Sequence, residues 1–273
     1  MKKENWNKFQ KTRKHFFSLT EELSRSLPDL KDIQQKFADS RSVGINSAGK
    51  NTAYTVETPV VYNTALDDIT IDDEIRLILV ADNPGRREQA AENRRYLVGP
   101  SGKIAQKFFN DNPSLKIDFR RNVIILNKTP IHSPRTVELK ELCNMDSKLK
   151  RPLAETRRHR DRGEENKNSL SNALVESQTF MASLLIEFQE ALECPVWITG
   201  YSEMRKGGIF ETYTETLKTL YANKKGLYDQ VFIYRHFSIN QFTIDLKQQA
   251  LQGESVSKTL KRIGKGYRER ILG

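Results

Sequence analysis

The sequence predicts an α/β protein, a three-layer α/β/α domain built on a central, mostly parallel sheet of about four strands. Three observations carry that prediction. Four short apolar runs, Arg76 to Val80, Asn122 to Leu126, Pro195 to Thr199 and Gln230 to Tyr234, are continuous rather than alternating, the pattern of strands covered on both faces. Helical periodicity separates them, clearest in the stripe Leu174, Met181, Leu184, Leu185, Phe188 and Leu192 that leads into the third run. Each run also ends in a polar segment, and in open parallel sheets ligands bind outside the carboxyl ends of the strands.

The elements follow in chain order. Residues 1–52 form a basic helical extension: Trp6, Phe9, Phe16, Leu19 and Leu23 recur at helical spacing among lysines, predicting one or two amphipathic helices, and a Gly/Ser/Asn-rich link runs from Arg41 to Thr52. The β-branched stretch Tyr54 to Tyr62 is extended, and Pro59 makes it an edge or no strand at all. Residues 53–240 form the core. Within it, 135–169 is too charged to pack, notably Arg157 to Arg162, and reads as an insertion or mobile loop. Residues 241–273 are a basic helical segment, with Val256, Leu260, Ile263, Tyr267 and Ile271 on one stripe. Together they make a single domain over 1–273.

Composition bounds the function. The chain has 273 residues, a formal net charge of +10 and a pI near 9.5. Such a surplus of Lys and Arg gains affinity by displacing counterions from phosphates, so nucleic acid leads the anionic partners and a membrane surface follows. No apolar run is long enough to span a bilayer, and the N-terminus lacks the apolar core of a signal peptide, so a cytoplasmic protein is expected. Cys143 and Cys194 fit neither a disulfide framework nor a thiolate cluster, so no metal and no cofactor are expected.

The polar segments after the four runs are Ala81-Asp-Asn-Pro-Gly85, Asn127-Lys-Thr-Pro130, Gly200-Tyr-Ser-Glu203 and Arg235-His-Phe-Ser-Ile-Asn240, and they should converge on one cleft. With Tyr96-Leu-Val-Gly-Pro-Ser-Gly102 between the first and second, the chain resembles the uracil-DNA glycosylase superfamily from Leu77 to Asn240. The shared signal is the order and strand context of a strand with an Asn-Pro-Gly loop, a Val-Gly-x-x-Gly element, a strand ending in Asn, and a late His-x-Ser loop.

The resemblance implies a monofunctional DNA glycosylase that hydrolyses the N-glycosidic bond of uracil or another deaminated or damaged base, with single- or double-stranded DNA as partner. It implies that Asn83 positions the attacking water, that Asn127 reads the base edge and that His236 donates to a carbonyl oxygen of the leaving base. These residue types suit the chemistry, because the bond breaks through an oxocarbenium-like sugar and an anionic base, which fixed donors stabilise. Asp82, Pro84, Gly85, Tyr96, Leu97 and Ser238 would line the substrate site. Gly99, Ser101, Gly102, Lys103 and Asn240 would contact DNA, the first three through backbone N–H groups at a helix start. The target nucleotide must be flipped into such a site.

The chain departs from the family at Ala81, where a glycine is usual, at Leu97, where an aromatic stacks on the base, and at Phe237, where a proline follows the histidine; it also lacks the iron–sulfur cysteines of one branch. Plainer readings stand beside these: Asn83-Pro-Gly85 as a turn, Asn127 as a helix cap, His236 as a half-buried histidine, Tyr96 and Leu97 as core. His159-Arg-Asp161 with Asn166 matches a kinase spacing without its companions, and Gly102-Lys103 lacks the rest of a phosphate loop. Two rival functions remain, a non-catalytic nucleic-acid binder of the same fold and a nucleotide-processing α/β enzyme.

Overall fold

The computed structural model describes residues 1–42, 54–146 and 169–273. In chain order they form α1 (Lys3–Ser26), α2 (Leu30–Ser42), β1 (Leu77–Ala81), α3 (Pro100–Asp111), β2 (Val123–Asn127), α4 (138–146), α5 (Leu170–Leu192), β3 (Val196–Thr199), α6 (Glu211–Tyr221), β4 (Val231–Tyr234), α7 (Gln241–Gln249) and α8 (Val256–Leu272). All four apolar runs are strands, each starting one residue later than the sequence suggests, and the first two reach one residue further, to Ala81 and Asn127.

The sheet is parallel throughout, in the order β2-β1-β3-β4. The winding therefore reverses at β1/β3, where the two outgoing connections leave in opposite directions and open a crevice at the carboxyl edge. Register and alternation assign the faces. Leu79 pairs with Ile125 and Trp197, placing these on one face, where Trp197 stacks on Phe109 of α3 at 5.5 Å and on Phe242 of α7 at 6.0 Å. On the same face α8 crosses β4 so closely that a Cβ on Gly264 would meet the Phe232 Cβ at 2.7 Å. The opposite face presents Ile78, Val80, Ile198 and Ile233 to the layer led by α5, which packs against α6 and α1.

Two segments differ from the sequence reading. The N-terminal segment set apart as an extension is packed into the core: Phe9 and Phe16 are fully buried, and Phe9 meets Phe188 of α5 at 5.5 Å. Its apolar stripe needed a partner, and α5 supplies one. The start of the charged 135–169 stretch is the ordered α4, whose Leu139 and Leu142 are buried. The Arg157 to Arg162 cluster and most of the predicted link lie outside the described residues. The Tyr54 to Tyr62 segment makes one antiparallel bridge, Val60 with Ile131, consistent with Pro59 interrupting any ladder. Among the described residues no helix is long and apolar enough to cross a membrane.

Candidate functional site

The carboxyl ends of β1, β3 and β4, with the 97–101 turn and the 133–137 segment, enclose a cleft of about 790 Å³. Of the predicted site residues it brings together Asp82, Asn83, Gly85, Leu97, Gly99, Ser101, His236 and Ser238.

Asn83 is held from several sides. Its Nδ2 donates to Ser133 Oγ at 2.9 Å, and its Oδ1 accepts from Thr136 Oγ1 at 3.0 Å, leaving a second lone pair on a half-buried oxygen. The next carbonyl, that of Pro84, accepts from His132 Nδ1 at 2.8 Å and from the Ser133 amide at 3.2 Å. His132 is fully buried, which pushes its pKa down to about 4; the ring is neutral, and its Nε2 accepts from the Tyr54 hydroxyl at 2.8 Å. Pro84 thus acts through its backbone, as an anchor for Asn83.

His236 leaves β4 with its Nδ1 accepting from the Ser238 amide at 2.9 Å, which assigns the ring proton of the neutral form to Nε2. Burial lowers its pKa against the pull of Asp82, and Lys128 lowers it further, so His236 is a neutral Nε2–H donor at physiological pH. Ser238 therefore sets the tautomer of its neighbour.

Asp82 is paired beneath the cleft with Lys128, whose side chain is wholly buried. The ammonium donates to Asp82 Oδ1 and to the Thr199 carbonyl, both at 2.5 Å, and lies 4.8 Å from the Phe210 ring centroid. Burial opposes the Asp82 charge, but Lys128, His236 and Thr136 outweigh it and hold the carboxyl below the usual carboxylate range. Burial pulls the Lys128 pKa down from its ordinary value while Asp82 holds it up. Gly200, at φ +87°, passes so near that a Cβ there would sit 2.2 Å from Asp82 Oδ1, so this corner needs glycine for both conformation and space. One ion pair ties the ends of β1, β2 and β3.

Asn127 is different. It sits in register with Ala81, a cleft residue, on the same face of the sheet. It is 1% exposed and not part of the cleft lining, and neither its Nδ2 nor its Oδ1 has a hydrogen-bond partner. Buried polar groups are nearly always bonded, so an orphaned amide marks a place where something else bonds it.

Leu97 forms the neighbouring wall with φ +53°, a left-handed conformation costing a non-glycine residue about 1–3 kcal/mol. Its carbonyl accepts from Arg120 Nη2 at 2.8 Å, and the Glu88 carboxylate accepts from the Gly85 amide at 3.0 Å with the Leu97 amide nearby. Burial raises Glu88 to about 7 against these donors and Arg120. A Cβ on Gly102 would fall 1.5 Å from the Leu97 carbonyl oxygen, so that glycine serves close packing of the turn on α3. Tyr96 is buried with its hydroxyl donating to the Val61 carbonyl at 2.6 Å, outside the cleft lining. Lys103 is exposed on α3 outside the lining, and Asn240 lines a separate groove with Lys107, Thr243 and Lys247.

Sequence reasoning placed Arg235 and Ile239 in the fourth strand-exit segment without giving them a role, and missed the rest of the rim. Arg86, Arg87, Arg135 and Arg235 all line the cleft; Arg135 pairs with Glu138, Arg235 with Asp245, and Arg86 lies over the Tyr54 ring at 4.9 Å. The available signal was positional for three of them: Arg86 and Arg87 follow the first strand-exit segment and Arg235 opens the fourth. Ile239, 84% exposed with φ +52°, and Val137, 54% exposed, also line it. Among the described residues no cluster of His, Cys, Asp and Glu could hold a metal ion. Comparison with family models, curated proteins and solved structures gave no match.

Proposed function

We propose that the protein is a DNA glycosylase that hydrolyses the N-glycosidic bond of uracil or another deaminated or damaged base. The observation that carries this reading is the buried, unpartnered Asn127 amide beside a cleft whose walls hold Asn83 and the neutral His236 donor. An amide offers one donor and one acceptor edge, which suits a base ring carrying an N–H beside a carbonyl. As the glycosidic bond lengthens, negative charge collects on the base oxygens, and the His236 Nε2–H donates to one of them. A neutral donor stabilises that charge without a proton having to leave; such a fixed donor contributes about 10²–10³ in rate. The free lone pair of Asn83 Oδ1 accepts from a water and aims it at the sugar carbon. The rim arginines hold flanking phosphates, and exposed Ile239 is placed to enter the base stack vacated by a flipped nucleotide.

The test is base release from a labelled oligonucleotide carrying one uracil or hypoxanthine, single- or double-stranded. Abasic-site formation by the wild type, reduced about 10²-fold or more by Asn83→Ala and by His236→Ala, supports the reading. Inactivity of the wild type on every deaminated base sinks it. The buried position of Leu97 at the cleft wall favours one rival, a non-catalytic binder, for which DNA binding persists without release and is indifferent to Asn83→Ala.

A further inference from the structure

The two ends of an asparagine amide have nearly the same shape, so its surroundings decide which end goes where, and for Asn83 the 133–137 segment decides. Asn83 Nδ2 stands 2.9 Å from Ser133 Oγ and 3.2 Å from the carbonyl oxygens of both Ser133 and Pro84. A carbonyl oxygen can only accept, so turning the amide over would set its own oxygen against two others. The Ser133 hydroxyl is an acceptor here as well, because its single proton goes to the Arg135 carbonyl at 2.9 Å. Ser133 is 1% exposed, and its backbone amide donates to the Pro84 carbonyl at 3.2 Å, which ties this wall to the loop that carries Asn83.

The other end of the amide meets a donor. Thr136 Oγ1 lies 3.0 Å from Asn83 Oδ1 and 3.2 Å from Asp82 Oδ2. Both are acceptors, so the one hydroxyl proton of Thr136 is shared between them. The valences of Asn83 can then be counted. Three acceptors surround its two Nδ2 protons, and Thr136 takes one lone pair of Oδ1; among the described residues the second lone pair is the one valence that no neighbour fills. Asn83, Ser133 and Thr136 all line the cleft, so what Asn83 offers a ligand there is an acceptor.

We propose that Ser133 and Thr136 are positioning residues: from its two ends they lock the Asn83 amide as an acceptor-only group, which holds a water or hydroxyl by its proton and gives nothing to a base carbonyl. The proposal rests on the reading of Asn83 as the group that positions the attacking water. It divides the labour of the cleft. The His236 Nε2–H serves the oxygens of the leaving base, and Asn83, its own protons already spent on Ser133 and Pro84, serves the nucleophile alone.

The experiment follows two readouts in the full chain, for wild type, Ser133→Ala, Thr136→Val and Thr136→Ser. The first is hydrogen exchange of the Asn83 side-chain amide, read by NMR on ¹⁵N-labelled protein without any ligand. The second is kcat and KM for uracil release from an oligonucleotide. Ser133→Ala and Thr136→Val, both close in size to the residues they replace, should accelerate the exchange. Each should lower kcat about tenfold, the fold-change of one net hydrogen bond, with KM unchanged, because a misdirected water weakens the transition state and not the grip on DNA. Thr136→Ser keeps the hydroxyl and should recover most of the rate. Exchange that stays at the wild-type rate in both Ser133→Ala and Thr136→Val overturns the proposal, as does faster exchange with an unchanged kcat or with a loss carried by KM. If the wild type releases no base, the exchange still decides: acceleration in both variants removes the glycosylase reading and leaves the lock on Asn83 standing, and no acceleration removes both.

Discussion

Asn127 and Lys128 are consecutive, polar and almost equally buried, yet the chain treats them oppositely. Lys128, just past the end of β2, spends its donors on Asp82 and the Thr199 carbonyl and closes three strand ends together. Asn127, the last residue of β2, leaves both amide atoms without a partner. Burial does not separate a structural polar residue from a recognising one; satisfaction does. The first has a completed circuit, and removing it should harm the fold. The second has an open one, and removing it should harm only what binds there.

The largest expected effect lies on the lysine. Lys128→Ala leaves the Asp82 carboxylate buried without its counter-ion, and breaking such a pair costs roughly 3–5 kcal/mol. Urea denaturation should show this as a fall in midpoint. A variant as stable as wild type would place the Asp82 charge in contact with water and break the comparison at its firmer end.

Asn127→Leu is the opposite arm. Replacing an unpartnered amide by an apolar side chain of similar size should leave stability unchanged or raise it by about 1 kcal/mol, since no native hydrogen bond is lost. Release of uracil should nevertheless fall about tenfold to a hundredfold, the worth of a two-point contact to a base edge. A loss of stability with unimpaired release would make Asn127 a structural residue after all.

Glu88 lies between the two cases, partnered but at a cost, and pH exposes that cost. Its pKa stands near 7 in the folded protein against an ordinary 4.5, so the folded state binds the proton more tightly than the unfolded chain does. Its contribution to stability is therefore fully present below pH 4.5 and drains away as the pH rises through about 7. Denaturation midpoints at pH 5 and pH 8 should differ less in Glu88→Gln than in wild type; an equal difference assigns the pH dependence elsewhere.

Much of the fold was legible in the sequence. The four strands declared themselves because a parallel strand buried on both faces must be apolar throughout, and the cleft residues Asp82, Asn83 and His236 because polar segments at the carboxyl ends of such strands converge on one crevice. What stayed hidden depends on tertiary partners. The role of Lys128 is hidden until Asp82, 46 residues earlier, is brought beside it. Arg120 donates to the backbone carbonyl of Leu97, a contact that leaves no mark in side-chain pattern. Tyr96 turns out to anchor Val61, and the basic N-terminal helix reveals its core role only once α5 offers Phe188 to Phe9.

The exposed counterpart of Asn127 is Ile239. One is a polar group buried without a partner, the other an apolar side chain left 84% exposed at the cleft lip, and both break the ordinary rule of burial at the same site. The φ of +52° at Ile239 and of +58° at Asn240 holds the side chain out on a tight left-handed turn directly after His236, where it would meet the stack from which a nucleotide has left. Ile239→Ala should change stability by no more than about 0.5 kcal/mol, since it removes almost no buried surface. Its effect should appear in the substrate: uracil release from duplex DNA should fall by several-fold while release from single strands, which have no stack to hold open, stays near wild type. Equal losses on both substrates would make Ile239 a general contact of the DNA surface, and the duplex would then have to open without help from this loop.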